Sequence, residues 1–237
     1  MQQPIYLALD FPTWEQTDRF LKTNNLDGVP VKVGMELFYR EGPAVIEQLK
    51  KRNHSIFLDL KLHDIPTTIY KAMKNLAKLE VDIVNVHGFG GSAMIAAAKQ
   101  GLIDGSNHAQ VPKLLVVTVL TSMDQAVLEQ ELSIHQPVEK LVTDLALLGK
   151  HNGADGVVCS AHEAQAIKQV CGKAFLAVTP GIRLADTAND DQKRIGTPTF
   201  AKKQGVDALV IGRSITAATE PHVMYQKAIK EWNHVFS

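Results

Sequence analysis

The chain has 237 residues, 45% of them hydrophobic, which is enough to bury one large core, and its 25 basic and 25 acidic side chains cancel. With no Lys/Arg cluster and no basic-aromatic interleaving, that balance argues against nucleic acid or an anionic membrane as the main partner. No apolar stretch reaches the roughly 18 residues needed to span a bilayer, and Met1-Gln2-Gln3-Pro4 lacks the basic and apolar regions of a signal peptide, so a cytoplasmic protein is expected.

Short apolar runs alternate with longer amphipathic stretches about eight times along the chain. Residues 5–10 predict a first strand ending on Asp10, and residues 29–34 a second carrying Lys32 near its end. After a helical pattern over 43–51, residues 55–62 predict a third strand. Its period of two puts Asp59 and Lys61 on one face and Leu58, Leu60 and Leu62 on the other, with Asp64 where the strand gives way to Pro66. A helical pattern over 67–79 leads to a fourth strand over 82–88, which ends on His87 and Gly88. The fifth strand is expected over 113–120, with Thr121 just after it, and the sixth over 156–160. Residues 175–182 predict the seventh strand and 208–215 the eighth, both closing on a Gly and then an Arg. The longest irregular stretches are 101–111, 123–136 and 184–197. Cys159 and Cys171 have no CxxC spacing and read as reduced, buried thiols.

Continuous apolar runs without alternation predict parallel strands covered by helices. Eight such units at this length fit a closed (β/α)8 barrel, a TIM barrel, as a single domain over 1–237; an open doubly wound sheet is the runner-up. On a barrel, Asp10, Lys32, Asp59, Lys61 and Thr121 all fall at C-terminal strand ends, the face that carries active sites. Isolated charges in low dielectric cost several kcal/mol each, so Lys32, Asp59, Lys61 and Asp64 are expected to converge as a chain of alternating charge that serves chemistry more than stability. Gly181 with Arg183, and Gly212 with Arg213, offer bare backbone N–H groups and a guanidinium fork after strands seven and eight, where this architecture binds phosphate. Gln192, in the irregular stretch between them, could reach the same anion as part of a lid. A metal site from His63, His87 and Asp10 or Asp59 can be drawn, but a lysine amid the ligands would repel the cation, so no metal is expected. Gly88-Phe89-Gly90-Gly91 lacks the dinucleotide spacing, and no nicotinamide or flavin is expected either.

From end to end the sequence resembles the orotidine 5'-phosphate decarboxylase family, short bacterial type. Asp59-Leu60-Lys61-Leu62-His63-Asp64-Ile65-Pro66 resembles its DxKxxDIP signature, Leu7-Ala8-Leu9-Asp10 its first strand and Val31-Lys32-Val33-Gly34 its second. Thr179-Pro180-Gly181-Ile182-Arg183 and Gly212-Arg213-Ser214 resemble its phosphate grip. The resemblance implies a homodimeric barrel that converts orotidine 5'-phosphate to uridine 5'-phosphate and CO2 without metal or organic cofactor. It implies Lys61 as proton donor, flanked by Asp59 and the partner subunit's Asp64, with Lys32 ordering the network. It further implies ribose contacts from Asp10 and Lys32, a base contact from Thr121 or Ser122, and phosphate contacts from Arg183, Gln192, Gly212 and Arg213. It also implies that Pro180 lines the substrate site and that Ile65 and Thr68 reach it across the interface.

Three rival readings remain. A metal-dependent sugar-phosphate decarboxylase shares DxKxxD, but the Ile65-Pro66 continuation and Lys32 argue against it. A Schiff-base aldolase would need a neutral Lys61, which two flanking carboxylates disfavour. A non-catalytic nucleotide-binding barrel would keep the glycines and arginines but has no use for buried alternating charges.

Overall fold

The computed structural model describes residues 4–106, 110–184 and 196–233. Eight parallel strands close into a barrel in chain order: β1 (Ile5–Ala8), β2 (Val31–Gly34), β3 (Ile56–Leu62), β4 (Ile83–His87), β5 (Lys113–Val117), β6 (Gly156–Val158), β7 (Leu176–Thr179) and β8 (Ala208–Ile211). β1 pairs with β8 through Tyr6 and Val210, which closes the ring and rules out the open sheet. The strands are apolar on both faces because both are covered. Leu7, Leu58, Val84, Val116 and Leu209 point outward into the layer of helices, while Tyr6, Phe57, Leu115, Val178 and Ala208 fill the interior as a plug. Tyr6 and Phe57 meet edge to face at 6.0 Å inside that plug.

The N-terminal rim is tied by one device used three times. Asp82, Asp155 and Asp207 each precede an even-numbered strand. Their carboxylates accept the backbone N–H of Ile56 (2.7 Å), Leu114 (2.8 Å) and Ala177 (2.7 Å) on the strand before. The backbone N–H of each acid donates in return to the carbonyl of that same residue. Lys99 pairs with Asp155 and Lys168 with Asp207, so two of the three carboxylates are also neutralised.

The helices Pro66–Ala77 and Gly91–Gly105 touch backbone to backbone. A Cβ on Gly101 would stand 2.3 Å from the Tyr70 carbonyl oxygen, and one on Gly105 2.3 Å from that of Lys74. Only glycine permits this approach, and it fixes the helix that begins immediately after Asp64 and Ile65.

Several boundaries differ from the sequence expectation. The strands stop earlier than the apolar runs, since β5 ends at Val117, β7 at Thr179 and β8 at Ile211, where Arg213–Thr216 turns into a helix. Those runs continue because Val119, Ile182 and Ile215 still pack in the core after the ladder ends. Two stretches expected to be irregular contain helix, Gly91–Gly105 reaching into the first and Gln125–Gln130 lying in the second. Among the described residues no helix is long and apolar enough to cross a membrane, and both cysteines are buried free thiols.

Candidate active site

Asp59 and Lys61 follow Phe57 along the interior face of β3, so as the strand rises out of the apolar plug its inward side chains change from hydrocarbon to charge. The ladder with β4 is broken at this point. Leu58 pairs with Val84 and Leu62 with Val86, which leaves Asp59, Leu60 and Lys61 opposite Asn85 alone. The extra length is absorbed at Lys61, whose φ of 50° lies in the left-handed region. That twist turns its side chain back on its own strand, and Nζ reaches Asp59 Oδ1 at 2.7 Å.

The charged chain runs on through neighbouring strands. Lys32 Nζ on β2 lies 3.6 Å from Asp59 Oδ2 and donates to Asp10 Oδ1, beyond the end of β1, at 2.8 Å. The side chains of Lys32 and Asp59 are 11% and 12% exposed, that of Lys61 28% and that of Asp10 59%, so the chain passes from the barrel interior to the open mouth. Burial alone would lower the Lys32 pKa, yet Asp10 and Asp59 outweigh it and hold the ammonium above its ordinary range. Burial likewise opposes ionisation of Asp59, but the charges of Lys32 and Lys61, with hydrogen bonds from Lys61 and Asn85, bring its pKa below the usual carboxylate value. The pair is held charged by mutual attraction and not by solvent.

A cavity of about 290 Å³ opens over this chain. Its floor is the top of the plug, with Ala8, Phe57, Val117, Val158 and Val210, and its walls carry Asp10, Lys32, Asp59, Lys61, Thr121, Ser122, Pro180, Arg183, Gly212 and Arg213. With Gly181, which also lines the cavity, the structure therefore gathers eleven of the residues singled out in the sequence around one space. An apolar floor with polar groups converging from several strands is the usual form of a small-molecule site. An isolated bridge between Ile182 and Gly196 brings the chain back beside Arg183, whose N–H donates to the Gly196 carbonyl at 2.9 Å. Gln192 lies outside the described residues.

Asp64, Ile65 and Thr68 are not brought to the cavity of their own chain. All three are exposed, and the Asp64 carboxylate accepts the N–H of Ile65 at 2.6 Å with no ion pair among the described residues. The four-membered chain within one protomer is thus Asp10–Lys32–Asp59–Lys61, with Asp10 at the Lys32 end and Lys61 at the other. His63 and His87 stack at 5.5 Å, and His87 stacks on Phe89 at 5.4 Å. Burial, with the nearby charges of His63 and Lys61, pushes His87 below the usual histidine range. Among the described residues no group of three or more His, Cys, Asp or Glu is arranged to hold a metal ion.

Two residues at the site escaped the sequence reading. Asn85, 1% exposed, bonds both Asp59 and the Lys61 backbone; a lone carboxamide within an apolar strand was the available signal. Gly34 stands two residues after Lys32 on the same face. A Cβ there would lie 3.1 Å from Lys32 Nζ and 3.3 Å from Asp10 Oδ1, so glycine leaves room for that ion pair.

A family model for the orotidine 5'-phosphate decarboxylase / HUMPS family matches residues 3–228. The orotidine 5'-phosphate decarboxylase of Geobacillus thermodenitrificans is 51% identical over 234 residues, covering 98% of both chains. That of Listeria innocua is 50% identical over 98% of this chain and 100% of its own. The crystal structure of orotidine 5'-phosphate decarboxylase from Lactobacillus acidophilus superposes with a TM-score of 0.86 at 45% identity, covering 98% of this chain and 99% of that one. The chain belongs to the orotidine 5'-phosphate decarboxylase / HUMPS family.

Proposed function

We propose that this chain removes CO2 from orotidine 5'-phosphate to give uridine 5'-phosphate, with Lys61 as the proton donor. The observation that carries the reading is the alternating chain Asp10–Lys32–Asp59–Lys61 at the mouth of a pocket whose rim also holds Arg183, Gly212 and Arg213. When the bond to the carboxylate breaks, its electron pair stays in the plane of the pyrimidine ring and cannot spread into the π system. A fixed cation beside that carbon stabilises the developing charge, and the same ammonium then transfers one proton to it. Asp59 holds the Lys61 ammonium at 2.7 Å, so little reorganisation is needed when the charge appears. Arg183, Gly212 and Arg213 take the phosphate, Asp10 and Lys32 the ribose hydroxyls, and Thr121 or Ser122 the base edge, with Pro180 against the ligand. Binding energy from the distant phosphate then contributes to the chemical step as well as to affinity.

The functional unit in this proposal is a homodimer. Met35 and Tyr39 follow β2, Ile65 follows β3 and Phe89 follows β4. These large apolar side chains on three successive strand ends are 43%, 66%, 67% and 38% exposed in the protomer. Covering them with a second copy would carry the partner subunit's Asp64, Ile65 and Thr68 toward the pocket. We place this work in the cytoplasm, where Cys159 and Cys171 stay reduced.

The test is direct. Purified protein treated with chelator should bleach the absorbance of orotidine 5'-phosphate, while Lys61→Ala should bind uridine 5'-phosphate and leave the substrate intact. A chelator-sensitive rate, or turnover by Lys61→Ala, refutes the proposal. Mixing Lys61→Ala with Asp64→Ala chains and allowing exchange tests the shared site. Random exchange makes about half the dimers mixed with one intact site each, so about a quarter of the parental activity should return. No recovery, with mixed dimers confirmed by mass, would place Asp64 with its own Lys61.

A further inference from the structure

We propose that Asn85 is a positioning residue for the reaction, its side chain standing in for the missing rung between β3 and β4 and thereby aiming Lys61 at the substrate. The inference rests on the decarboxylase reading above. A backbone amide presents one N–H and one C=O to its neighbour, and the Asn85 carboxamide presents the same pair from a buried site. Its Oδ1 accepts the Lys61 N–H at 2.7 Å and its Nδ2 donates to Asp59 Oδ1 at 2.7 Å. Asp59 Oδ1 therefore has two donors, Asn85 Nδ2 and Lys61 Nζ, and the three groups form a closed circuit through the β3 backbone. A left-handed conformation is strained for a lysine and persists only where its surroundings hold it. Here the bond to the Lys61 N–H comes from the Asn85 side chain, because the β3–β4 register shifts between Leu58 and Leu62 and leaves Lys61 without a ladder partner.

The charged groups around position 85 are few. Asp59 and Lys61 face it from β3, Lys32 stands behind Asp59, Asp10 behind Lys32, and His87 lies two residues on along β4, while Leu115 pairs beside it on β5 without charge. Removing the carboxamide should thus disturb the orientation of Lys61 and Asp59 while sparing the phosphate and base contacts on β5, β7 and β8.

Asn85→Ala is expected to lower kcat at least about 100-fold, with affinity for uridine 5'-phosphate within about threefold of the parent. Asn85→Asp keeps the acceptor for the Lys61 N–H but must share a proton with Asp59 to donate. Its residual activity should fall as pH rises, at a lower pH than any fall in the parent. In the parent, the Lys61 backbone amide should exchange with deuterium far more slowly than that of exposed His63, a measurement that needs no variant to fold. Parental kcat in folded Asn85→Ala, equal losses in kcat and product affinity, a parent-like pH profile for Asn85→Asp, or unprotected Lys61 exchange would each overturn the role. A parent without activity on orotidine 5'-phosphate would instead remove the decarboxylase reading, and this inference with it.

Discussion

Gly34 and Lys32 share the inner face of β2, and the space left by the missing side chain is where Lys32 meets Asp10. Gly34→Ala would put a methyl 3.1 Å from Nζ and 3.3 Å from Oδ1, tight enough to push the pair aside. Its backbone conformation, unlike that of the left-handed glycines, accepts alanine without strain. The expected outcome is a kcat about 10–100-fold lower with a melting temperature within a few degrees of the parent; equal kcat in steady-state assays would show that Lys32 relocates freely. Asp10, Lys32, Asp59 and Lys61 were legible in the sequence because an ionised group in an apolar run has no cheap structural explanation, and Arg183 and Arg213 because each follows a glycine at the end of a strand. Gly34 and Asn85 were not, since a hydrogen atom and a carboxamide carry no charge. The value of Asn85 depends on a pairing shift that exists only once β3 lies against β4, and that of Gly34 on the approach of Lys32 to Asp10.

Three strands of the barrel, β3, β5 and β7, have a start fixed by an aspartate ahead of the next strand. At the start of β7, Asp207 accepts the Ala177 N–H and pairs with Lys168, whose side chain is 13% exposed. Asp207→Ala would leave a buried N–H without its acceptor and a mostly buried ammonium without its counter-ion. Urea unfolding should show a loss of about 2–4 kcal/mol, with kcat unchanged because the rim lies at the opposite end from Lys61. A matching fall in kcat would mean that the two ends are mechanically coupled. Strand order and type were readable from alternating apolar runs, whereas the aspartate ties were not. Asp82, Asp155 and Asp207 look in the sequence like ordinary loop acids, and only the pairing of neighbouring strands sets each beside the strand before. Asp64, Ile65 and Thr68 are a different case: the family resemblance named them, and within the protomer they are exposed and stand apart from the cavity.

For the molecule as a whole, alkali is the more revealing stress. Burial raises the hydroxyls of Tyr6 and Tyr225 from 10.0 to about 12, Asp82 adding to the first while a hydrogen bond with Ser55 opposes it. Between those values the unfolded chain has lost protons that the folded one keeps, so stability falls as pH rises through this window. Each tyrosine contributes about 2–3 kcal/mol to the fall by the time the folded value is passed. Lys32, held above its ordinary range, acts in the same direction. Asp59 acts at the other extreme: its lowered pKa stabilises the fold above the ordinary carboxylate range and is lost as pH drops through the folded value. Tyr225→Phe, which loses the bond to the Ile5 carbonyl at 3.0 Å, should cost about 1 kcal/mol at pH 7 and flatten the decline above pH 10. Urea midpoints measured across that range would show no flattening if Tyr225 ionises freely in the folded state. A different consequence follows from the charge sum of Asp10, Lys32, Asp59 and Lys61, which is zero at rest. With Lys61 as donor, each cycle leaves the set one proton short. Lys32 is clamped and nearly enclosed, whereas the Lys61 side chain, 28% exposed, opens onto the cavity, so replenishment comes from water through the mouth once product has gone. The reaction then consumes one hydrogen ion, which ends on the product carbon, for each CO2 released: a weakly buffered solution drifts alkaline in step with turnover, until the CO2 hydrates and gives the acidity back.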